Sequence, residues 1–290
     1  MSNINNLYSS TGGEYSKIDV FLDDYETVYY YESGYIAEDR IEAILKNGIQ
    51  SRKDAFDVLA WKLGGINKNK TNANKGAIPN EIIKYNSDKW FFDKNIGQEK
   101  RSQGTSRRGP IDFNENGQDY LERFEGKGEI GKRLKELKEK FDANEKSDKA
   151  KEKKKHDADD IAAEMLNLLA ERVPKGIGPV YLITLLYFLT QGKRYPIYDQ
   201  FAHAALEVIF AESEIALGSE INKNTISNDK TSRNFGKNVI SGKNSVYAKY
   251  MELIKKFEKE FDIIYYANNE STNRKADRAL WAYGHMFNLV

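Results

Sequence analysis

Residues 173–199 read VPKGIGPVYLITLLYFLTQGKRYPIYD, and this stretch decides the architecture. Pro174 stops the helix before it, because the residue ahead of a proline is pushed out of the helical region. Gly176 and Gly178 flank Ile177, so the backbone can turn sharply there and approach another surface with no Cβ in the way. Pro179 suits the first position of a new helix, where its missing N–H has no partner to lose. From Val180 to Leu189 the chain is almost wholly apolar, the pattern of a helix buried on every side. After a polar turn from Thr190 to Tyr198, Asp199 opens another helix that carries Phe201, Ala204, Ala205, Val208 and Ile209 inward.

Upstream of this unit, Asp157 is placed to cap a helix whose Ile161, Met165, Leu168 and Leu169 form an apolar stripe. Near the N-terminus, Ile36 to Asn47 carries one apolar face and is closed by Gly48. Ser51 caps the next helix, with Asp54 in its first turn and Phe56, Leu59, Ala60 and Leu63 on its inner face. It is followed by KLGGINKNKTNANK, residues 62–75, which holds four lysines and no acid. Downstream, Lys230, Arg233, Lys237, Lys243 and Lys249 form a second basic stretch without an acid between them. Helices are expected at Tyr250 to Phe261 and around Lys275 to Phe287. Only Val28 to Tyr31 and Asp262 to Tyr266 have the β-branched and aromatic density of strands. The chain is expected to be mainly α, with few or no strands.

Three parts follow from composition. Residues 1–97 form the first, and residues 157–290 hold the hairpin and the C-terminal helices. Between them, residues 98–156 are charged and poor in large apolar side chains, as in a surface insertion or hinge; Ile130 to Leu137 has the pattern for a helical turn or two.

Bulk numbers exclude several classes. With 45 basic and 44 acidic residues the net charge is +1, so nucleic-acid binding has to rest on where the charges sit. The absence of cysteine rules out disulfides, thiolate zinc sites and cysteine-ligated iron–sulfur clusters. His156, His203 and His285 are too scattered to suggest a metal centre, and no cofactor or metal is expected. No segment is long and apolar enough for a membrane span or signal peptide, so no membrane association and a cytoplasmic, nucleoid-associated location are expected.

A Gly-hydrophobic-Gly turn leading into a helix presents unpaired backbone N–H groups to a phosphate and grips it without reading sequence. Lys175, Gly176, Ile177, Gly178 and Pro179 fit that description. With the buried helix and the YPIYD turn after it, the segment from about Asp157 to Leu206 resembles the helix-hairpin-helix superfamily of DNA glycosylases, in particular its 8-oxoguanine glycosylase-like branch. The resemblance implies two helical lobes around a cleft and a monomer acting on double-stranded DNA that contains a modified base. It implies Asp199 as the catalytic carboxylate. DAFDVLAWKLGGINKNKT looks like the family's early helix and DNA-entering loop, nominating Asn67, Lys68 and Asn69 as DNA contacts. KADRALWAYGHMF is loosely similar to a C-terminal Trp-bearing helix, nominating Trp281 for the base pocket; Tyr181, Tyr198 and His203 are the other pocket candidates.

One departure matters. Bifunctional members of that family carry a Schiff-base lysine two residues after the second hairpin glycine, where this chain has Val180, 19 residues before Asp199. The resemblance therefore implies a monofunctional enzyme that uses water and has no lyase activity. It covers oxidised, alkylated, deaminated or phage-type modified bases, in repair or in defence against foreign DNA. Two other readings stand beside it: a catalytically inactive DNA-binding protein on the same fold, and a structural helical protein whose GIG is an ordinary turn. Asp199 itself also suits a plain N-cap, a role worth about 0.5–2 kcal/mol without catalysis.

Overall fold

The computed structural model describes residues 17–33, 38–62, 117–146, 151–174, 177–210, 234–263 and 274–286. These residues are mainly helical, with no strand among them. Val28 to Tyr31 lies inside helix α1 (Ile18–Ser33), where Phe21, Leu22, Tyr25 and Tyr29 recur at helical spacing and are buried. Of the stretch read as a strand, Tyr29 lies on the buried face of that helix. No described helix is long and apolar enough to cross a membrane.

Helices α2 (Glu38–Asn47) and α3 (Arg52–Lys62) are joined by a tight turn at Gly48, whose φ of 73° lies in the left-handed region that glycine adopts without strain. Ser51 Oγ accepts the Asp54 amide while Asp54 Oδ2 accepts the amides of Gln50 and Ser51. That reciprocal cap satisfies donors at the start of α3. Arg40 clamps the pair, donating to Asp54 Oδ1 at 2.5 Å and Asp57 Oδ2 at 3.0 Å.

The charged middle segment is part of the core. A short helix, α4 (Gly117–Glu122), runs into a 3-10 turn (Arg123–Glu125) and then α5 (Gly128–Glu145), which packs along α6 (Lys151–Ala170). Gly131, Leu134, Leu137, Phe141 and Asn144 make a continuous buried stripe on α5, so the helix extends well beyond Leu137. Buried Arg123 donates to the carbonyls of Leu168 at 2.6 Å and Glu171 at 3.0 Å, closing the end of α6. The expectation of an insertion or hinge over 98–156 is corrected for residues 117–146: five inward positions at three- and four-residue spacing suffice to bury a helix whose remaining faces are charged. Helix α6 likewise begins at Lys151, which puts Asp157 inside it instead of at its cap.

Helix α7 (Pro179–Leu189) is the centre of the fold, with every residue from Tyr181 to Leu189 buried and with α3 and α6 packed on it. The hydroxyls of Thr184 and Thr190 would be costly in that setting; they donate to the carbonyls of Val180 and Leu186, each at 2.9 Å. Of the remaining described helices, α11 (Lys275–Met286) packs on α1 and on α8 (Gln200–Ile209), while α9 (Phe235–Ser241) packs on α6 and on α10 (Val246–Phe261), which also meets α8. Buried apolar residues from Phe21 to Tyr283 form one continuous cluster.

Two glycines permit close helix crossings. A Cβ on Gly236 would lie 1.9 Å from the Ala163 carbonyl oxygen, where α9 meets α6, and one on Gly284 would lie 2.2 Å from the Phe201 carbonyl oxygen, where α11 meets the first turn of α8.

Candidate active site

The approach to Asp199 is built from the end of α6. Arg172 takes a φ of 47°, and the Pro174 carbonyl accepts the Ile177 amide at 3.2 Å, which folds the chain back. Gly178 is the extended N-cap of α7 with Pro179 just inside the helix; its carbonyl accepts the Tyr181 and Leu182 amides. Ile177 is fully buried and anchors the turn. Lys175 and Gly176 lie outside the described residues, as do Asn67, Lys68 and Asn69.

The loop from α7 to Asp199 is held at both ends and along its length. At the C-terminus of α7, Gly192 N–H donates to the Tyr187 carbonyl at 2.8 Å and Gln191 N–H to that of Phe188 at 3.2 Å, with Gln191 left-handed at φ 55°. This closes the helix end in the Schellman manner. Arg194 Nε donates to Glu145 Oε1 at 2.6 Å, Tyr195 OH to Asp159 Oδ1 at 2.9 Å, and Tyr247 OH to the Pro196 carbonyl at 2.8 Å. Contacts from α5, α6 and α10 thus deliver Asp199 to one place.

Asp199 uses its two carboxylate oxygens differently. Oδ1 accepts the Phe201 amide at 2.9 Å, the N-cap bond of α8, in an extended backbone with φ −136° and ψ 134°. Oδ2 accepts a hydrogen bond from Lys62 Nζ at 3.0 Å, and the two side chains are 17% and 13% exposed. The cap alone accounts for one oxygen; the second is held by a cation from the far end of α3.

That end of α3 is itself fixed. Trp61, next to Lys62, meets Phe188 of α7 edge to face at 5.9 Å and carries the Arg274 guanidinium over its ring at 4.6 Å. Arg274 Nη2 lies 3.5 Å from Asp277 Oδ2 on α11. Burial raises the Asp277 carboxyl above its ordinary value, against the pull of Arg274 and Lys62, and the charge of Asp199 raises it further. Lys62, Asp199 and Asp277 therefore form one electrostatic group where α3, α8 and α11 meet.

The pocket candidates separate into distinct places. Tyr198 and His203 are buried in an aromatic cluster with Tyr247 and Tyr250, and Tyr198 OH lies 3.2 Å from His203 Nδ1. Burial, reinforced by the charge of Lys249, lowers His203 to about 4, so it is neutral at physiological pH; Glu207 Oε1, 3.6 Å from Nε2, is too far for a hydrogen bond. Their rings face neighbouring core rings, which leaves no room for a stacked base. Tyr181 is 9% exposed on α7. Trp281 is half-buried on α11, edge to face with Tyr29 at 5.3 Å.

Some of the basic residues do converge. Lys193, Arg194, Lys243, Lys249 and Lys255 line an open cleft of about 580 Å³ together with the acids Asp159, Glu252 and Glu258. Lys62 was legible only as one more lysine of a basic loop. A single lysine at a helix end gives no local signal for a partner in another helix.

No protein-family model, curated protein or solved structure matches this chain.

Proposed function

We propose that this protein is a DNA glycosylase of helix-hairpin-helix type, with two helical lobes around a cleft, that hydrolyses the N-glycosidic bond of a modified base extruded from duplex DNA. The observation that carries the reading is the placement of Asp199. It follows a Gly-hydrophobic-Gly turn and a buried helix, and its Oδ2 stays clear of the cap bond, at a partly exposed point beside a lysine.

Cleaving the glycosidic bond develops positive charge on the sugar. A fixed carboxylate stabilises that charge or takes a proton from the attacking water. Oδ2, partly exposed and paired with Lys62, would serve either task, since Oδ1 is bound to the α8 amide. Around it, the turn at Lys175 to Pro179 would hold a phosphate through backbone N–H groups, and Asn67, Lys68 and Asn69 would enter the duplex near the extruded nucleotide. Tyr181 and Trp281 are the rings nominated for the base. Val180 is aliphatic, so the first bond is broken with water as nucleophile. The partner is double-stranded DNA, bound by a cytoplasmic monomer.

Purified protein and an Asp199→Asn variant incubated with duplexes that each carry one modified base provide the test, with abasic sites scored by alkali cleavage. Cleavage by the natural protein alone supports the reading and names the base. Salt-sensitive DNA binding without cleavage on any duplex would instead identify a DNA-binding protein that keeps the fold.

A further inference from the structure

We infer that the cleft between the α7–α8 loop and α10 is a binding site for a small ligand that carries a di- or triphosphate group. Lys193 and Arg194 border it from the loop, Lys243 from the turn before α10, and Lys249 and Lys255 from α10 itself. Cations from separate stretches of the chain thus surround one open volume of about 580 Å³, the size of a pocket for a small molecule.

The walls are braced without using up the amines. Arg194 is held by Glu145 at 2.6 Å, the Tyr195 hydroxyl donates to Asp159 at 2.9 Å, and the Tyr247 hydroxyl donates to the Pro196 carbonyl at 2.8 Å, which fixes the loop. Opposite it, the Gly242 carbonyl accepts the Ser245 amide at 2.9 Å and Ser245 Oγ accepts the Ala248 amide at 3.1 Å, which fixes the turn into α10. A site fixed in advance loses less entropy on binding. Lys193 donates to the neutral Gln191 side chain at 3.0 Å, and among the described residues no carboxylate pairs with Lys193, Lys243 or Lys249. Ammonium groups gathered round a concave surface focus positive potential there. That charge is felt behind the wall, where Lys249 adds to burial in lowering His203. A polyphosphate brings several charged oxygens within reach of all three amines at once, through charge-assisted hydrogen bonds.

The lining also argues against a length of duplex. Glu252 lies three positions beyond Lys249 on α10, and Glu258 lies nine positions, about 14 Å, beyond it. Carboxylates therefore occupy the far part of the cleft. Duplex DNA carries a phosphate charge about every 1.7 Å along its axis and would run into them, whereas a compact phosphate group fits the cationic end alone.

Calorimetric titration of the full chain with pyrophosphate and with ADP, at about 0.15 M salt, tests the site without reference to the glycosylase reading. The expected result is saturable binding of one ligand per chain, weakened about tenfold or more in each of Lys193→Gln, Lys243→Gln and Lys249→Gln. Lys132→Gln, at an exposed lysine of α5 outside the cleft, should bind as the natural protein does. Tighter binding of ADP supports a nucleotide as the source of the phosphate group, and tighter binding of pyrophosphate supports the free anion. No saturable binding of either probe, binding undiminished in the cleft variants, or an equal loss in Lys132→Gln would overturn the inference. So would displacement of bound pyrophosphate by a short unmodified duplex, which would assign the cleft to DNA. Base excision on modified duplexes, scored separately, fails or succeeds independently of these titrations.

Discussion

Lys62 and Asp199, 137 positions apart, meet through a 3.0 Å hydrogen bond between Nζ and Oδ2, at the only point where the last residue of α3 touches the cap of α8 in the described hydrogen bonds. The same carboxylate caps α8 through Oδ1. Its capping bond and its ion pair are thus divided between two oxygens, and the capping role and the proposed chemical role can be separated by mutation.

Asp199→Asn should separate them. Asparagine caps a helix about as well as aspartate, so unfolding free energy should change by no more than about 1 kcal/mol. Loss of the carboxylate should lower base excision by about 10²–10⁴-fold. Urea unfolding and single-turnover excision on the same preparations make the comparison; equal losses in both would show that Asp199 serves the fold alone.

Gly284→Ala should loosen the site from behind. Its Cβ would lie 2.2 Å from the Phe201 carbonyl oxygen, and that contact is with backbone, which cannot rotate away. A loss of about 1–3 kcal/mol is expected, with α8 displaced at the turn Asp199 caps. Thermal unfolding reads the first effect, and a reduced salt-bridge coupling in a Lys62/Asp199 double-mutant cycle on the Gly284→Ala background reads the second.

Arg123→Met should destabilise the whole domain by about 2–4 kcal/mol, since it strips two carbonyls at the end of α6 of a charged donor. The outcome bears on the middle segment. Were residues 117–146 an appendage, the urea midpoint of the main transition would not move.

Acid should weaken the protein through His203. The unfolded chain takes up a proton near 6.5, whereas the folded chain does so only at about 4, so stability is full at neutral pH and falls as pH drops through that window. The loss is about 3 kcal/mol by pH 4. Asp277, raised by burial, shifts stability in the opposite sense, because the folded state binds its proton more readily than the unfolded one. Comparing unfolding at pH 7 and 4.5 for the natural protein and His203→Gln isolates the histidine; identical pH slopes in the two would assign the effect elsewhere.

Local signals carried the sequence reading as far as local physics reaches. The turn at Ile177, Gly178 and Pro179, the all-apolar α7, the cap at Asp199 and the reciprocal cap of Ser51 and Asp54 are each set by residues within a few positions of one another. A helix period and a capping side chain are visible there without knowledge of the rest of the chain. Val28 to Tyr31 is helical although its composition suggests a strand, because four residues are too few to show a helix period. Tertiary structure alone decided that α5 joins the core, that Tyr198 and His203 turn to Tyr250, and that Lys62 faces Asp199. Those contacts depend on how helices distant in sequence are stacked, and a charged side chain looks the same in sequence whether it faces water or a carboxylate.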